Sequence, residues 1–324
     1  MSFSNSVLVK ETRKAQVKSQ RRSSTKKWNP IALRRIERLE DRRLLALDVT
    51  SLASPAAASD LVATLLGPGV TASNIAFQGK IGTNDVKEGD SSSAGTFTGG
   101  TGIIGFESGI ILSSGGVQNV VGPNVSEFIS QSNFLPGDSD LDALVSGDTL
   151  DATVLEFDFV PIDDSIAFQY VFASDEYNEF ANSVFNDVFA FFLNGSNVAV
   201  LPDGSPVTIN NVNLTDNSTL FRDNDLSGGG DENVADISAT IDTEMDGLTR
   251  VLFTVQADVT PNVTNHIKLA IADRGDSSYD SNVFLRAGSF TSIDDEIVLP
   301  DYNIDGSFFF DTQFPPGQHD PLAT

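Results

Sequence analysis

The sequence predicts an all-β protein, an antiparallel two-sheet β-sandwich of jelly-roll-like type with one short N-terminal helix. Gly, Ser, Thr, Asn and Asp are abundant, and long stretches of helical periodicity are scarce. About eleven short apolar segments are separated by turns rich in Gly, Pro, Asn and Asp. Residues 154–159 (VLEFDF) alternate apolar and acidic side chains, which is the period of a strand with one buried face. No fixed-length repeat is visible, which disfavours a solenoid or propeller.

The elements follow one another along the chain with clear boundaries. A short helix is predicted over residues 60–66, with Ser59 as its N-cap and Gly67-Pro68-Gly69 as its stop. Asn194-Gly195 predicts a tight hairpin turn after an apolar central strand. The predicted strands cover residues 74–77, 95–98, 102–106, 109–112, 154–159, 166–172, 188–193, 198–201, 207–212, 249–257, 267–271 and 283–287.

Composition excludes several classes of site. The chain has no cysteine, and its two histidines, His266 and His319, lie far apart in sequence. Cysteine nucleophiles, disulfides, Cys/His zinc sites and iron–sulfur clusters are therefore excluded. A domain of roughly 240 residues buries about 70–75% of its extended surface, so it does not need disulfides to fold.

Charge is segregated along the chain. Residues 1–43 hold thirteen Lys and Arg against four Asp and Glu, a net charge of +9, whereas the remainder holds seven against forty-one, a net charge of −34. We expect no nucleic-acid partner for so acidic a body. Twenty-three Phe against four Tyr and one Trp indicate aromatics used in a core rather than on a stacking platform. No apolar run approaches the ~20 residues of a membrane span.

The two ends of the chain differ from the middle. Residues 1–58 are predicted to be a basic segment and linker. Apolar positions in 31–47 recur at helical spacing among arginines, which indicates a short basic amphipathic helix that binds nucleic acid or a membrane surface. The alternative is a poorly ordered tail. The stretch RLEDRRLLALD resembles the LEPR-x-LL motif of planctomycete secreted and surface proteins, with Asp41 in place of proline. That resemblance implies a sorting or processing segment. We predict that residues 291–324, where the strand pattern ends, form an acidic, disordered tail.

The middle of the chain resembles the bacterial choice-of-anchor L domain. The similarity runs from about residue 59 to residue 290, through DLVATLLGPGV, SNIAFQG, GIIGFESGIILSSG, YVFASDEYNEF, FNDVFAFFLNG and HIKLAIADRGDSSYDSNVFLRAGSF. The resemblance implies one β-rich domain over 59–290 in a secreted or surface-attached bacterial protein, often adhesin-like and without established catalytic activity.

The first candidate metal site lies between two strands. Its oxygen-bearing residues are Asp175, Glu176, Glu179, Asn186 and Asp187. Calcium takes six to eight oxygen ligands from carboxylates, amides and main-chain carbonyls. Asp175 and Glu176 are adjacent, so they serve one ion only if the chain turns there. The alternative is a set of solvated loop acids.

A second candidate site follows the strand predicted over residues 267–271. Asp273, Asp276 and Asp280 supply carboxylates, and Gly275 permits a tight turn. Arg274 is an alternative partner for one of these acids. Because both acidic loops leave strands, we expect that they meet at one end of the sandwich and share an ion.

Two further acidic stretches are weaker candidates for a metal site. Asp223, Asp225, Asp231 and Glu232 surround three glycines, and residues 301–306 (DYNIDG) copy half of an EF-hand loop without its closing acid. No GxSxG motif, P-loop or dinucleotide fingerprint occurs, and we expect no catalytic residues.

The predicted function is a non-enzymatic extracellular or cell-surface module in adhesion, matrix or envelope structure, stabilised by Ca²⁺. Alternatives are a calcium-dependent lectin-like module and a carbohydrate-active hydrolase. The expected partner is a surface glycan or another matrix protein.

Overall fold

The computed structural model describes residues 47–82, 89–127, 129–226, 241–250 and 253–293. The basic arm up to residue 46 lies outside the described residues. So do the acidic tail from residue 294 with its DYNIDG stretch, and Asp231 and Glu232. Within the described part of the chain, no helix has both the length and the apolar character needed to span a membrane.

Two antiparallel sheets form a sandwich, as predicted. The strands described are β1 (Asp48–Ser51), β2 (Val70–Gln78), β3 (Ala94–Thr98), β4 (Ser108–Ser113), β5 (Thr149–Pro161), β6 (Ser165–Ser174), β7 (Val188–Leu193), β8 (Ser196–Asn197), β9 (Val207–Thr208), β10 (Phe221–Asp223), β11 (Gly247–Thr249), β12 (Phe253–Asp258), β13 (Asn265–Arg274), β14 (Ser281–Arg286) and β15 (Thr291–Ile293). Sheet 1 has the order β1-β3-β4-β14-β6-β11-β10, and β12 and β15 also pair with β6. Sheet 2 has the order β2-β5-β13-β7-β8, and β9 also pairs with β7.

The main core lies between the two sheets, and β6 shows how the sequence builds it. Ile166, Phe168, Tyr170 and Phe172, every second residue of β6, belong to this core. Across the layers, the ring of Phe168 stacks on that of Phe191 in β7, with centroids 3.8 Å apart. Each such buried side chain contributes roughly 1.5–3 kcal/mol of hydrophobic stabilisation.

A second core covers the outer face of sheet 1. Val171 and Ala173, the alternate residues of β6, pack there with Phe284 of β14. A 3₁₀ turn, Val117–Val120, and the side chain of Met245 close over them. Both faces of β6 are therefore covered towards its C-terminal end, so any polar residue that follows the strand is buried as well.

The helices and several short strands depart from the predicted boundaries. Helix α1 spans Ala58–Leu65. Ser59 is not its N-cap, because the Ser59 hydroxyl donates to the carbonyl of Ala56. A second short helix, α2 (Ser139–Asp142), follows Asp138, whose carboxylate accepts from the main-chain N–H groups of Asp140 and Leu141. Two further 3₁₀ turns are Pro55–Ala57 and Ser218–Leu220.

Local turn chemistry explains the other differences. Residues 102–106 are a turn instead of a strand, since the N–H groups of Ile103 and Ile104 both donate to the carbonyl of Gly100. The Asn194-Gly195 hairpin is confirmed: both residues have positive φ, and Leu193 pairs with Ser196. Some strands that the sequence did not predict have only two or three residues, too few for a periodic signal. Strand β1 lies in the stretch assigned to the linker.

Candidate cation site at one end of the sandwich

Three neighbouring strands of sheet 1 carry an aspartate at the same level. Ser174, the last residue of β6, pairs with Ser281 of β14 on one side and with Gly247 of β11 on the other. One residue further out stand Asp280, Asp175 and Asp246, and the N–H of Asp175 donates to the carbonyl of Asp280 at 3.3 Å. All three side chains are at most 1% exposed. The register of sheet 1 thus creates a buried row of carboxyl groups.

Sheet 2 adds two more buried carboxyl groups at the same end of the sandwich. Val188 of β7 pairs with Ala272 of β13, which brings Asp187 next to Asp273. One Asp187 oxygen accepts from the Arg274 N–H at 2.9 Å. Its other oxygen accepts from the hydroxyl of Ser281 in sheet 1 at 2.7 Å. The two acidic loops that the sequence singled out are therefore brought together.

Adjacent residues of the first loop face different neighbours. Asp175 interacts electrostatically with Asp246, Asp280 and Glu244. Glu176 interacts instead with Asp187, Asp276, Asp280 and Glu179. We call Glu176, Asp187, Asp273, Asp276 and Asp280 the interlayer acidic cluster. Asp175 is not included, because strand alternation places it with Asp246 on the outer face of sheet 1. Asp280 is the neighbour that Asp175 and Glu176 share.

Burial raises the pKa values of these carboxyl groups. The pKa of Glu176 is raised to about 10 by burial and then by the negative charge of Asp187. Burial also raises the pKa of Asp280 to about 8 and that of Asp187 to about 7, although hydrogen bonds offset part of both rises. For Asp273, burial and the charges of Asp187 and Asp280 raise the pKa well above its usual range.

Several oxygens of these carboxyl groups accept no hydrogen bond from the described residues. Among the described residues, no donor of normal geometry reaches either oxygen of Asp273, Glu176 Oε2 or Asp280 Oδ1. The Ser114 hydroxyl lies close enough to Asp273 to lower its pKa. The carboxyl groups of Asp273 and Asp187 also share a hydrogen bond, which lowers the pKa of Asp187. A buried polar group left in this state costs about 1–3 kcal/mol, and a charged group costs more. The cluster therefore has more acceptor oxygens than donors to satisfy them.

Within the described residues, no Lys or Arg side chain neutralises the cluster. The ion pairs join Lys80 to Asp90, His266 to Glu156 and Asp158, and Lys268 to Asp138 and Asp140. Arg274, the expected competitor for an acid, donates its guanidinium to the carbonyls of Val184 and Ser146. In the part of the chain that the structure describes, these cations therefore do not pair with the interlayer acidic cluster.

Other predicted residues brace the loops or lie at the rim. Gly275 adopts φ +113°, the conformation expected of the turn in the second loop. Asp276 is half-buried and accepts from the N–H of Ser278 at 3.0 Å. Glu179 is half-buried, and the side-chain oxygen of Asn186 accepts from the N–H of Asn210 at 2.8 Å, which ties two loops together. In the weaker acidic stretch, buried Asp225 accepts from the side chain of Asn178 at 3.1 Å.

Sequence reasoning missed Glu244 and Asp246. Both are buried, and Asp246 precedes a three-residue strand that carries no periodic signal. The acidic residues of the segment DTEMDG are indistinguishable in sequence from solvated loop acids. Only the pairing of β11 with β6 places Asp246 beside Asp175.

The chemistry of a bound cation is constrained by the spacing of the acids. Among the residues described, no three His, Cys, Asp or Glu side chains are arranged to hold one metal ion by themselves. An ion here must take part of its coordination from amide, hydroxyl or main-chain oxygens or from water. Calcium accepts such mixed oxygen sets, whereas structural zinc sites require four side-chain nitrogen or sulfur ligands.

Comparison with known proteins finds one family. The model of the Choice-of-anchor L domain matches residues 49–291. No curated protein and no solved structure gives a significant match. The matched region starts in β1 and ends in β15, so it spans both sheets and the acidic end.

Proposed function

The chain belongs to the choice-of-anchor L family, and from this premise we propose that it is a non-enzymatic module of adhesion, matrix or envelope structure whose acidic end is stabilised by Ca²⁺. The family suggests a surface or secreted, non-catalytic module.

One observation carries the calcium proposal. Asp273 is 1% exposed, no donor among the described residues reaches its oxygens in normal geometry, and Asp187 and Asp280 add negative charge beside it. A buried carboxylate normally has a hydrogen-bond donor, a cationic partner or a metal ion. A hard divalent cation supplies what this group lacks.

Calcium at the interlayer acidic cluster would connect the two sheets. Asp273 lies in β13 and Asp187 directly precedes β7, both strands of sheet 2, whereas Asp280 directly precedes β14 of sheet 1. Coordination would replace repulsion among these carboxylates by attraction to a shared ion. The loops at this end would then be held rigidly, as a surface that contacts a partner requires.

A thermal melt with and without calcium tests the proposal. Calcium at about 100 times its dissociation constant stabilises the folded state by about 2.7 kcal/mol, which raises Tm by roughly 5–10 °C for a domain of this size. Asp273→Asn keeps the shape of the side chain but removes its charge, and should make the rise clearly smaller than in the wild type. Asp148→Asn, at an exposed aspartate, is the matched control and should behave as the wild type does.

Two outcomes would count against the proposal. Equal Tm values in calcium and in EGTA would overturn calcium stabilisation. The adhesive role is tested separately, by the binding of the purified chain to immobilised glycans and matrix proteins in calcium and in EGTA. Binding to none of them would contradict adhesion without touching the calcium site.

A further inference from the structure

A second group of buried oxygens lies on the outer face of sheet 1. Ala173, Leu248 and Phe284 belong to the outer core, and strand alternation puts Asp175, Asp246 and Asn282 on that same side. Asn124 joins them, because its side-chain amide donates to Asp246 Oδ1 at 2.6 Å. We call Asp175, Asp246, Asn124 and Asn282 the outer oxygen cluster.

All four members of the outer oxygen cluster are buried, and each has an oxygen that no donor of the described residues reaches. These are both carboxylate oxygens of Asp175, Asp246 Oδ2, Asn124 Oδ1 and Asn282 Oδ1. The main-chain N–H of Asp246 is near enough to Asp175 to lower its pKa somewhat, but not in hydrogen-bond geometry. Within the described ranges, the cluster therefore presents five acceptor oxygens that no hydrogen-bond donor satisfies.

The side-chain amides are oriented by their neighbours. Asn124 Nδ2 contacts two acceptors, Asp246 Oδ1 and the carbonyl of Asn224 at 2.8 Å, so this atom must be the nitrogen. Asn282 Nδ2 donates to Met245 Sδ at 3.0 Å. In both residues the donor is already used, which leaves the amide oxygen as the free ligand atom.

The segment that carries Asp246 is held firmly in place. The Asn224 side chain donates to the carbonyls of Thr243 and Met245 and accepts from the N–H of Ile241 at 2.9 Å. Thr243 also donates its hydroxyl to the carbonyl of Val120 at 2.6 Å. A preformed frame of this kind presents its oxygens without an ordering cost at the moment of binding.

We propose that the outer oxygen cluster is a second divalent-cation site, held by the carboxylates of Asp175 and Asp246 and the amide oxygens of Asn124 and Asn282. Two carboxylates and two amides form an oxygen set that suits calcium, with water or main-chain oxygens completing six to eight ligands. This composition agrees with the finding that no three acidic side chains converge among the described residues. This site and the interlayer acidic cluster would bind the same kind of ion, but through different residues.

The occupied site would fasten the segment 241–246 to β6 and β14. The ligands come from three places in the fold: Asp175 follows β6, Asn282 lies in β14, and Asp246 precedes β11. Asn124 adds the loop after the Val117–Val120 turn, which covers the outer core. The ion would therefore join the covering loop to the sheet beneath it.

Counting bound calcium in folded variants tests this site. Equilibrium dialysis followed by elemental analysis should show that Asp246→Asn binds one ion fewer than the wild type. Asp273→Asn should lose a different ion, and the double variant should lose both. Asp148→Asn is the control and should keep the wild-type number. Asn124→Leu removes an amide oxygen without changing charge, and should also lose the ion or bind it at least about tenfold more weakly.

The outcomes separate the two proposals. The second site would be overturned if the Asp246→Asn and Asn124→Leu variants both bound as many calcium ions as the wild type, with the same affinity. This holds regardless of how many ions the Asp273→Asn variant binds. Loss of one ion on Asp246→Asn with no loss on Asp273→Asn would support the second site and contradict the interlayer one. A wild-type chain that binds no calcium would overturn both. Circular dichroism of each variant establishes that the fold is retained before ions are counted.

Discussion

The hydroxyl of Ser281 in sheet 1 donates to the carboxylate of Asp187 in sheet 2, with 2.7 Å between the two oxygens. Ser281 Oγ also lies 2.9 Å from Ser174 Oγ. Both Ser281 and Asp187 are fully buried. A polar contact thus joins the two sheets at the acidic end, where the apolar core gives way to carboxyl groups.

Ser281→Ala should destabilise the protein by about 1–3 kcal/mol, because it leaves a buried Asp187 oxygen without its donor. Urea unfolding measures the change. Ser218→Ala, at an exposed position, is the control and should stay within about 0.5 kcal/mol of the wild type. Equal losses from both variants, or none from Ser281→Ala, would contradict the contact as described.

The pH dependence of stability in EGTA should have an unusual sign. The pKa values of Glu176, Asp246, Asp280 and Asp187 are raised to about 10, 9, 8 and 7, mainly by burial. The folded state therefore holds more protons than the unfolded state from about pH 4 upwards. These groups favour folding fully below about pH 4, and their contribution is lost as pH rises through the folded-state values.

Thermal melts in EGTA between pH 4.5 and pH 9 check this prediction. The Tm should fall as pH rises, and saturating calcium should reduce the fall because the ion stabilises the ionised carboxylates. Asp148→Asn should reproduce the wild-type curve in both conditions. A Tm that climbs from pH 5 to pH 8 in EGTA would contradict the raised pKa values.

Gly115→Ala should disrupt the interlayer acidic cluster. A Cβ atom at Gly115 would overlap the carboxylate of Asp280, which is fully buried and cannot move aside freely. The expected cost is roughly 1–3 kcal/mol, together with weaker calcium stabilisation. Gly102→Ala is the matched control, because a Cβ there meets no atom within 4 Å. Melts in calcium and EGTA separate the two effects, and Gly115→Ala with a wild-type response to calcium would count against Asp280 as a ligand.

Phe168→Ala tests the interlayer core independently of any ion. Phe168 is fully buried and stacks on Phe191 of the other sheet, so its truncation should cost about 3–5 kcal/mol. Phe134→Ala removes a ring that is 89% exposed and should change stability by less than about 0.5 kcal/mol. Similar losses from the two variants in urea unfolding would mean that the sheets do not pack as described.

Period-two alternation was sufficient to predict the central strands. Ile166, Phe168, Tyr170 and Phe172 all lie in the interlayer core because strand geometry alone sends alternate side chains to one face. The meeting of Asp187 and Asp273 was also predictable, since both residues adjoin long apolar strands. Antiparallel neighbours bring such ends together whenever the strands pair.

The outer oxygen cluster could not be predicted in the same way. Asp246 reaches Asp175 only through the register of a three-residue strand, which tertiary packing determines. The outer core that covers the end of β6 is completed by the Val117–Val120 turn and Met245, which are distant from Ala173 in sequence. The side-chain oxygens of Asn124 and Asn282 become potential ligands only because their amide nitrogens are already occupied.

Calorimetric titration of the calcium-free protein with calcium at pH 7, in two buffers of different ionisation enthalpy, tests most directly whether the buried carboxyl groups bind the ion. We predict binding whose heat differs between the buffers, because ionisation of groups such as Glu176 and Asp246 must release protons as the ion enters. Asp148→Asn should release the same number of protons, and Asp273→Asn fewer. A titration without binding heat in either buffer, or binding without proton release, would contradict the account.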